Sequence, residues 1–193
     1  MTRAARSALK IDVMVDSKRW KDTEGVKSIV RRAVTRAAAA TRSTSGAELA
    51  IVLTDDSAIR LLNRDWRGID KATNVLSFPA NNGSPKPHLG DIVLAFETIE
   101  REARGEHKPF VHHVAHLAVH GFLHLLGYDH ERDEDALEME RAEREILREL
   151  KIPDPYGRGP VAKETSPKSS HSKSLHAKSL HAKSSQKLRS QKS

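Results

Sequence analysis

The 193-residue chain contains no cysteine. Disulfides and thiolate metal sites are therefore excluded, and any bound metal must take nitrogen or oxygen ligands. No apolar run approaches the roughly 20 residues that a membrane helix needs. The first residues, MTRAARSALKIDV, lack the apolar block of a secretory signal. These absences lead to the expectation of a soluble, cytoplasmic protein of one ordinary domain.

Most of the chain also lacks net charge, although the formal total is +7. From Arg158 onward there are nine Lys or Arg against one acid, Glu164, and the preceding 157 residues hold 24 basic and 25 acidic side chains. The basicity sits in the tail, so a high pI is no argument that the domain binds nucleic acid. We assign 1–156 to a single domain and 157–193 to a disordered Ser/Lys/His-rich tail in which KSLHA occurs twice. Such a segment buries too little apolar surface to offset its ordering entropy. It acts either as a weak polyanion binder or only as a solubilising appendage.

Within the domain, Leu9, Ile11, Val13 and Val15 alternate with polar residues as in a half-buried strand. Val26, Ile29, Val30, Ala33, Val34 and Ala37 have the spacing of an amphipathic helix, with Asp22 and Thr23 available as caps. ELAIVLT (48–54) reads as an inner strand. A short helix follows the caps Asp55 to Ser57 and ends near Gly68. NVLSF (74–78) and LGDIVLAF (89–96) read as strands separated by an NNGSPKP loop. An acidic helix start lies at Glu97, and Pro109 opens a helix that Gly127 stops. A last helix covers about 133–150, its N-terminal end crowded with acids. The expected class is α+β: a small mixed sheet of about four strands packed with helices, the metal motif closing a central helix.

That motif is HGFLHLLGYDH, residues 120–130. His112, His116, His120 and His124 recur every four residues, beside His113. Four residues advance a helix by about 6 Å and turn it by about 40°, so neighbouring imidazoles can share one ion. His116 and His124 would lie about 12 Å apart, too far for that. A left-handed turn at Gly127 would bring His130 back toward His120 and His124. Three neutral imidazoles on a tetrahedral ion leave one position for water, as in catalytic rather than structural zinc sites. The metal lowers the pKa of that water toward about 7.

The spacing H-x-x-x-H-x-x-G-x-x-H is also that of metzincin peptidases. Those enzymes carry a Glu general base directly after the first histidine. Here that residue is Gly121, which argues against proteolysis.

HGFLHLLGYDH, with Leu117 and Val119 before it, resembles the metal motif of the YbeY-type endoribonucleases of bacterial rRNA maturation. LNRDWRGIDKATNVLSFP (62–79) and LGDIVL (89–94) resemble two further segments of that family. The resemblance implies one Zn2+ per chain on His120, His124 and His130, with Arg67 binding the substrate phosphate. A guanidinium suits that role, because it grips phosphate bidentately and stabilises charge in phosphoryl transfer. Asn74 stands where many members have Asp, so a role needing a carboxylate there does not carry over. Asn74 and Ser77 are candidates for hydrogen-bonding substrate, with strand-end packing as the alternative. Asp129 either orients a ligand imidazole or simply forms a turn. His116 either lines the cleft or is a hydrogen-bonded core residue.

The implied activity is a zinc-dependent, single-strand-specific endoribonuclease in 16S rRNA 3'-end maturation and ribosome quality control. Implied partners are rRNA and the small ribosomal subunit, with a small-subunit ribosomal protein and a ribosome-assembly GTPase as further candidates. Neither membrane nor DNA is expected. Water and the ribose 2'-hydroxyl both remain open as nucleophile. Two rivals stand beside this reading: another metal-dependent hydrolase such as a peptidase, and a ribosome-assembly binding factor with structural zinc. Arg60, Arg64, Arg67 and Lys71 form either a local basic cleft or a solvated helix face.

Overall fold

Lys10–Val15 (β1) and Glu48–Thr54 (β2) bury alternate residues, as a strand must when one face meets a core. A computed structural model describes residues 8–41, 46–80 and 88–157. The NNGSPKP loop, 81–87, and the tail from 158 onward lie outside the described residues. Val75–Pro79 (β3) and His88–Ala95 (β4) complete one four-stranded sheet in the order β1-β2-β4-β3. β1, β2 and β4 are mutually parallel, while β3 pairs antiparallel with β4 from Val75↔Leu94 to Pro79↔Gly90. The sheet is mixed, as expected, and β3 is one of its two edges.

Helices cover the two faces unequally. Lys18–Lys21 (α1) is followed by Val26–Thr41 (α2), Asp56–Arg67 (α3), Phe96–Gly105 (α4), Phe110–Leu125 (α5) and Asp133–Glu149 (α6). The main core joins Ile11, Leu49, Ile51, Ile92 and Leu94 of the sheet to Val30 and Val34 of α2, Val119 and Phe122 of α5, and Ile146 of α6. On the opposite face Ile59 of α3 packs with Leu76, Val93 and Ala95. Alternation along β3 and β4 sends Val75 and Ile92 to one face and Leu76 and Val93 to the other. α5 is apolar almost all round and lies central, touching the sheet, α2, α4 and α6.

Two local features depart from expectation. α1 is a single turn, too short for a hydrophobic period to reveal, yet it buries Trp20, whose indole donates to the Thr54 carbonyl at 2.6 Å. Asp22 and Thr23 close α1 instead of opening α2: Asp22 is its C-cap, and the Thr23 hydroxyl donates to the Arg19 carbonyl. Asp55 does cap α3, accepting the Ala58 N–H at 3.0 Å, and left-handed Gly68 ends it. No helix among the described residues is long and apolar enough to cross a membrane.

Candidate metal centre

The end of α5 is set by hydrogen bonds that only a left-handed residue permits. Gly127 has φ of 91°. Its N–H reaches the His124 carbonyl at 3.0 Å, and the Tyr128 N–H reaches the Leu123 carbonyl at 3.1 Å. This is the paired closure of a Schellman motif. It turns the Tyr128 carbonyl back onto the helix, where it accepts from His124 Nδ1 at 2.8 Å. The same reversal carries His130 beside the helix. Its ring centroid lies 5.6 Å from that of His120 and 5.1 Å from that of His124.

One ligand atom from each of His120, His124 and His130 lies within 4.8 Å of the others. Zinc–nitrogen bonds of about 2.0–2.1 Å in a tetrahedron need separations of about 3.4 Å, so small adjustments would seat an ion. The donor chemistry fits a cation. His120 Nδ1 lies 2.8 Å from a Glu143 carboxylate oxygen, and His124 Nδ1 faces the Tyr128 carbonyl. Both acceptors place the proton on Nδ1 and leave Nε2 as a lone pair. Those two Nε2 atoms stand 3.0 Å apart, a pairing that repels until a cation or a shared proton lies between them. His120, His124 and His130 can therefore hold a metal ion.

Glu143, on α6, is completely buried behind the imidazoles. One oxygen faces His120, and the other faces His116 Nε2 at 2.9 Å and accepts from the Tyr156 hydroxyl. Burial would raise its carboxyl, but the bonds from His116 and His120 outweigh burial and hold it well below the usual carboxylate range. Burial pushes His116 down, outweighing the Glu143 contact, so a neutral imidazole sits there. His116 is thus a core histidine bonded to a neighbour.

The remaining candidates fall into distinct settings. Asp129 accepts the His130 backbone N–H at 2.7 Å, a turn-forming contact. Asn74 donates to Glu102 at 2.9 Å and accepts the Val75 N–H at 2.7 Å, so both ends of its amide serve internal bonds. Ser77 is buried and donates to the Gly121 carbonyl at 3.0 Å, pinning β3 to α5 one residue past His120. Arg60 is held bidentately by Asp70 at 2.7 and 2.8 Å, and Arg64 by Asp65 at 2.8 Å. Lys71 is exposed. Arg67 differs from its two neighbours: it has no acidic partner among the described residues, and its buried Nε has no hydrogen bond. Burial lowers its pKa without bringing a guanidinium near neutrality.

Gly121 has a packing role as well as a missing base. A Cβ there would lie 2.9 Å from Ser77 Oγ, 3.0 Å from Ile92 Cγ2 and 3.3 Å from Val75 Cγ2. This side of α5 is pressed on the sheet, so a side chain at 121 would point into the core.

The sequence model of the family described as Endoribonuclease YbeY matches residues 13–151. The chain belongs to the YbeY endoribonuclease family. It is 57% identical over 153 residues to Endoribonuclease YbeY of Nitrobacter hamburgensis, covering 75% of this chain and 80% of that one. With the Endoribonuclease YbeY of Rhodopseudomonas palustris strain BisB18, identity is 52% over 164 residues, 81% of this chain and 96% of the relative. The solution structure of a Thermotoga maritima protein superposes with a TM-score of 0.50 at 26% identity, over 77% of this chain and 99% of that one. YbeY membership makes the chain an endoribonuclease, a hydrolase acting on RNA.

What sequence reasoning missed in this YbeY-family chain is Glu143. A signal existed, because Met139, Glu143 and Ile146 share one face of α6 and all three are buried. An acid on an apolar stripe needs a partner. Seventeen residues rich in Glu hide that single exception among solvated acids.

Proposed function

We propose that this chain is a zinc-dependent, single-strand-specific endoribonuclease that trims the 3' end of 16S rRNA and serves ribosome quality control in the cytoplasm. The observation that carries the reading is the convergence of three imidazoles, and it is supported by an arginine at the end of α3 that has no acidic partner among the described residues. His120, His124 and His130 hold Zn2+, and bound zinc supplies a water of pKa near 7. The Tyr128 carbonyl keeps His124 turned to present Nε2. Arg67 binds the scissile phosphate: its neighbours Arg60 and Arg64 are already neutralised by Asp70 and Asp65, while Arg67 has no acidic partner among the described residues. Ser77 ties β3, which begins eight residues after Arg67, to the turn of α5 that carries His120. The partners on this reading are rRNA in the small ribosomal subunit, a small-subunit ribosomal protein and a ribosome-assembly GTPase. Their support is the family resemblance.

A peptidase reading loses ground, because position 121 faces the sheet. The test uses the full chain, its bound zinc quantified, on an rRNA fragment with a single-stranded 3' extension and on casein. His124→Ala is expected to remove tight zinc binding and RNA cleavage together. Arg67→Ala should keep zinc and lose cleavage. Normal cleavage by the Arg67 variant would refute the phosphate role, and cleavage that survives loss of zinc would refute the metal role.

A further inference from the structure

Glu143 is the most constrained charge in the described structure. Its carboxylate has no exposed surface, and three donors from two other elements converge on its two oxygens. An isolated buried carboxylate would be very costly, so a site that retains one must satisfy it fully. His120 and His116 approach from α5. Tyr156 approaches from the segment that follows α6, and the Arg144 guanidinium lies 4.8 Å over its ring. Tyr156 lies beyond the stretch 13–151 that matches the family.

We propose that Glu143 is a positioning residue for the metal centre, and that Tyr156 in turn holds Glu143. The carboxylate accepts the Nδ1 proton of His120, which fixes the tautomer and ring angle that aim Nε2 at the ion. It also places one negative charge immediately behind a ligand, making that imidazole a better donor. The inference rests on the reading that the three histidines bind zinc. The alternative for the same contacts is a helix-to-helix cross-link between α5 and α6 with no bearing on metal.

The two roles separate when metal affinity and metal-free stability are read on the same variants. Glu143→Gln keeps the shape and removes the charge. Tyr156→Phe removes one hydroxyl at the rim. Glu145→Gln is the control, since Glu145 lies on the same helix but is exposed. Zinc is titrated into the full chain against a chromophoric chelator. The tail histidines His171, His176 and His181 add weak sites, so the His124→Ala chain supplies their baseline. Co2+ loading gives a second readout, because its visible absorption follows ligand geometry and donor strength.

Glu143→Gln is expected to lower the metal-free urea midpoint, because an amide cannot accept from all three donors, and in the folded variant to weaken zinc by about 10- to 100-fold and shift the Co2+ band. Tyr156→Phe should move both readouts less, in the same direction, and Glu145→Gln should move neither. Parent-like affinity and spectrum in Glu143→Gln would overturn the inference while leaving the zinc reading intact. A parent chain that binds zinc no better than His124→Ala would instead overturn the zinc reading. If Glu143→Gln does not fold, Tyr156→Phe decides, and unchanged affinity there overturns the proposal.

Discussion

Replacing Gly121 by alanine adds one methyl group where α5 is pressed against the sheet. In an open helix the change would stabilise by about 1 kcal/mol, because glycine is the poorer helix former. Here the new Cβ would sit 2.9 Å from Ser77 Oγ and 3.0 Å from Ile92 Cγ2, closer than carbon atoms pack. Overpacking of this kind costs about 1–3 kcal/mol. Ser77 can yield only by giving up its hydrogen bond to the Gly121 carbonyl, for about a further 1 kcal/mol. The expected balance is a loss of about 1–3 kcal/mol, and each kcal/mol lowers Tm by about 2–4 °C in a domain of this size. Urea unfolding of the zinc-free chain measures it as a lower midpoint at unchanged slope. Removing the obstructing oxygen tests the cause. In a Ser77→Ala background the alanine at 121 should cost less, with a coupling of at least about 0.5 kcal/mol. Gly121→Glu, the residue a zinc peptidase would carry, should fail to fold, because its carboxylate would enter the apolar contact with Val75 and Ile92. Alanine at 121 that matches or exceeds the parent would refute the packing argument. So would a folded Gly121→Glu chain that cleaves casein, since position 121 would then face the cleft.

Three further outcomes are expected. Removing zinc with a chelator should lower Tm by about 5–10 °C relative to protein held at 100 times its dissociation constant, since such ligation stabilises by about 2.7 kcal/mol; His124→Ala should show no such shift, and equal shifts in both would place the stabilising ion elsewhere. Single-stranded RNA bound at Arg67 should shield the neighbouring Trp66, 65% exposed, from acrylamide quenching, while Trp20, 1% exposed, is silent; saturating RNA without shielding would move the binding site away from the end of α3. Burial raises the Glu102 carboxyl, but hydrogen bonds from His113 and Asn74 outweigh it and leave the group depressed. Its contribution to stability is therefore complete above the unfolded value of about 4.3 and disappears as pH falls through the lower folded value. In zinc-free protein, the stability gap between the parent and Glu102→Gln should close over that acid range. A gap independent of pH would refute the linkage.

The parts of this fold legible in the sequence are those that one local rule decides. Asp55 and Gly68 bracket α3 because a side-chain cap and a left-handed terminator each need only a few neighbouring residues. Gly127 belongs to the same class, and its turn was enough to separate His120, His124 and His130 from the rest of the histidine ladder. α1 was invisible because four residues carry no period, and its place is set by Trp20 meeting Phe96 and Phe110 far along the chain. Glu143 shows the other limit. Its spacing marks it as buried, but its partner lies 23 residues away on a helix whose angle to α6 no local rule supplies. Charge followed the same division. The sequence places Arg60, Arg64 and Arg67 together, and only the folded loop brings Asp70 onto Arg60, leaving Arg67 the one of the three without an acid among the described residues. Gly121 had to be read at both levels. Sequence registers it as a missing base, whereas the structure registers it as a point where α5 lies close against β3 and β4. A side chain at 121 would press on Ser77, Ile92 and Val75, so the residue that leaves a peptidase without its base is also the one that lets α5 seat on the sheet.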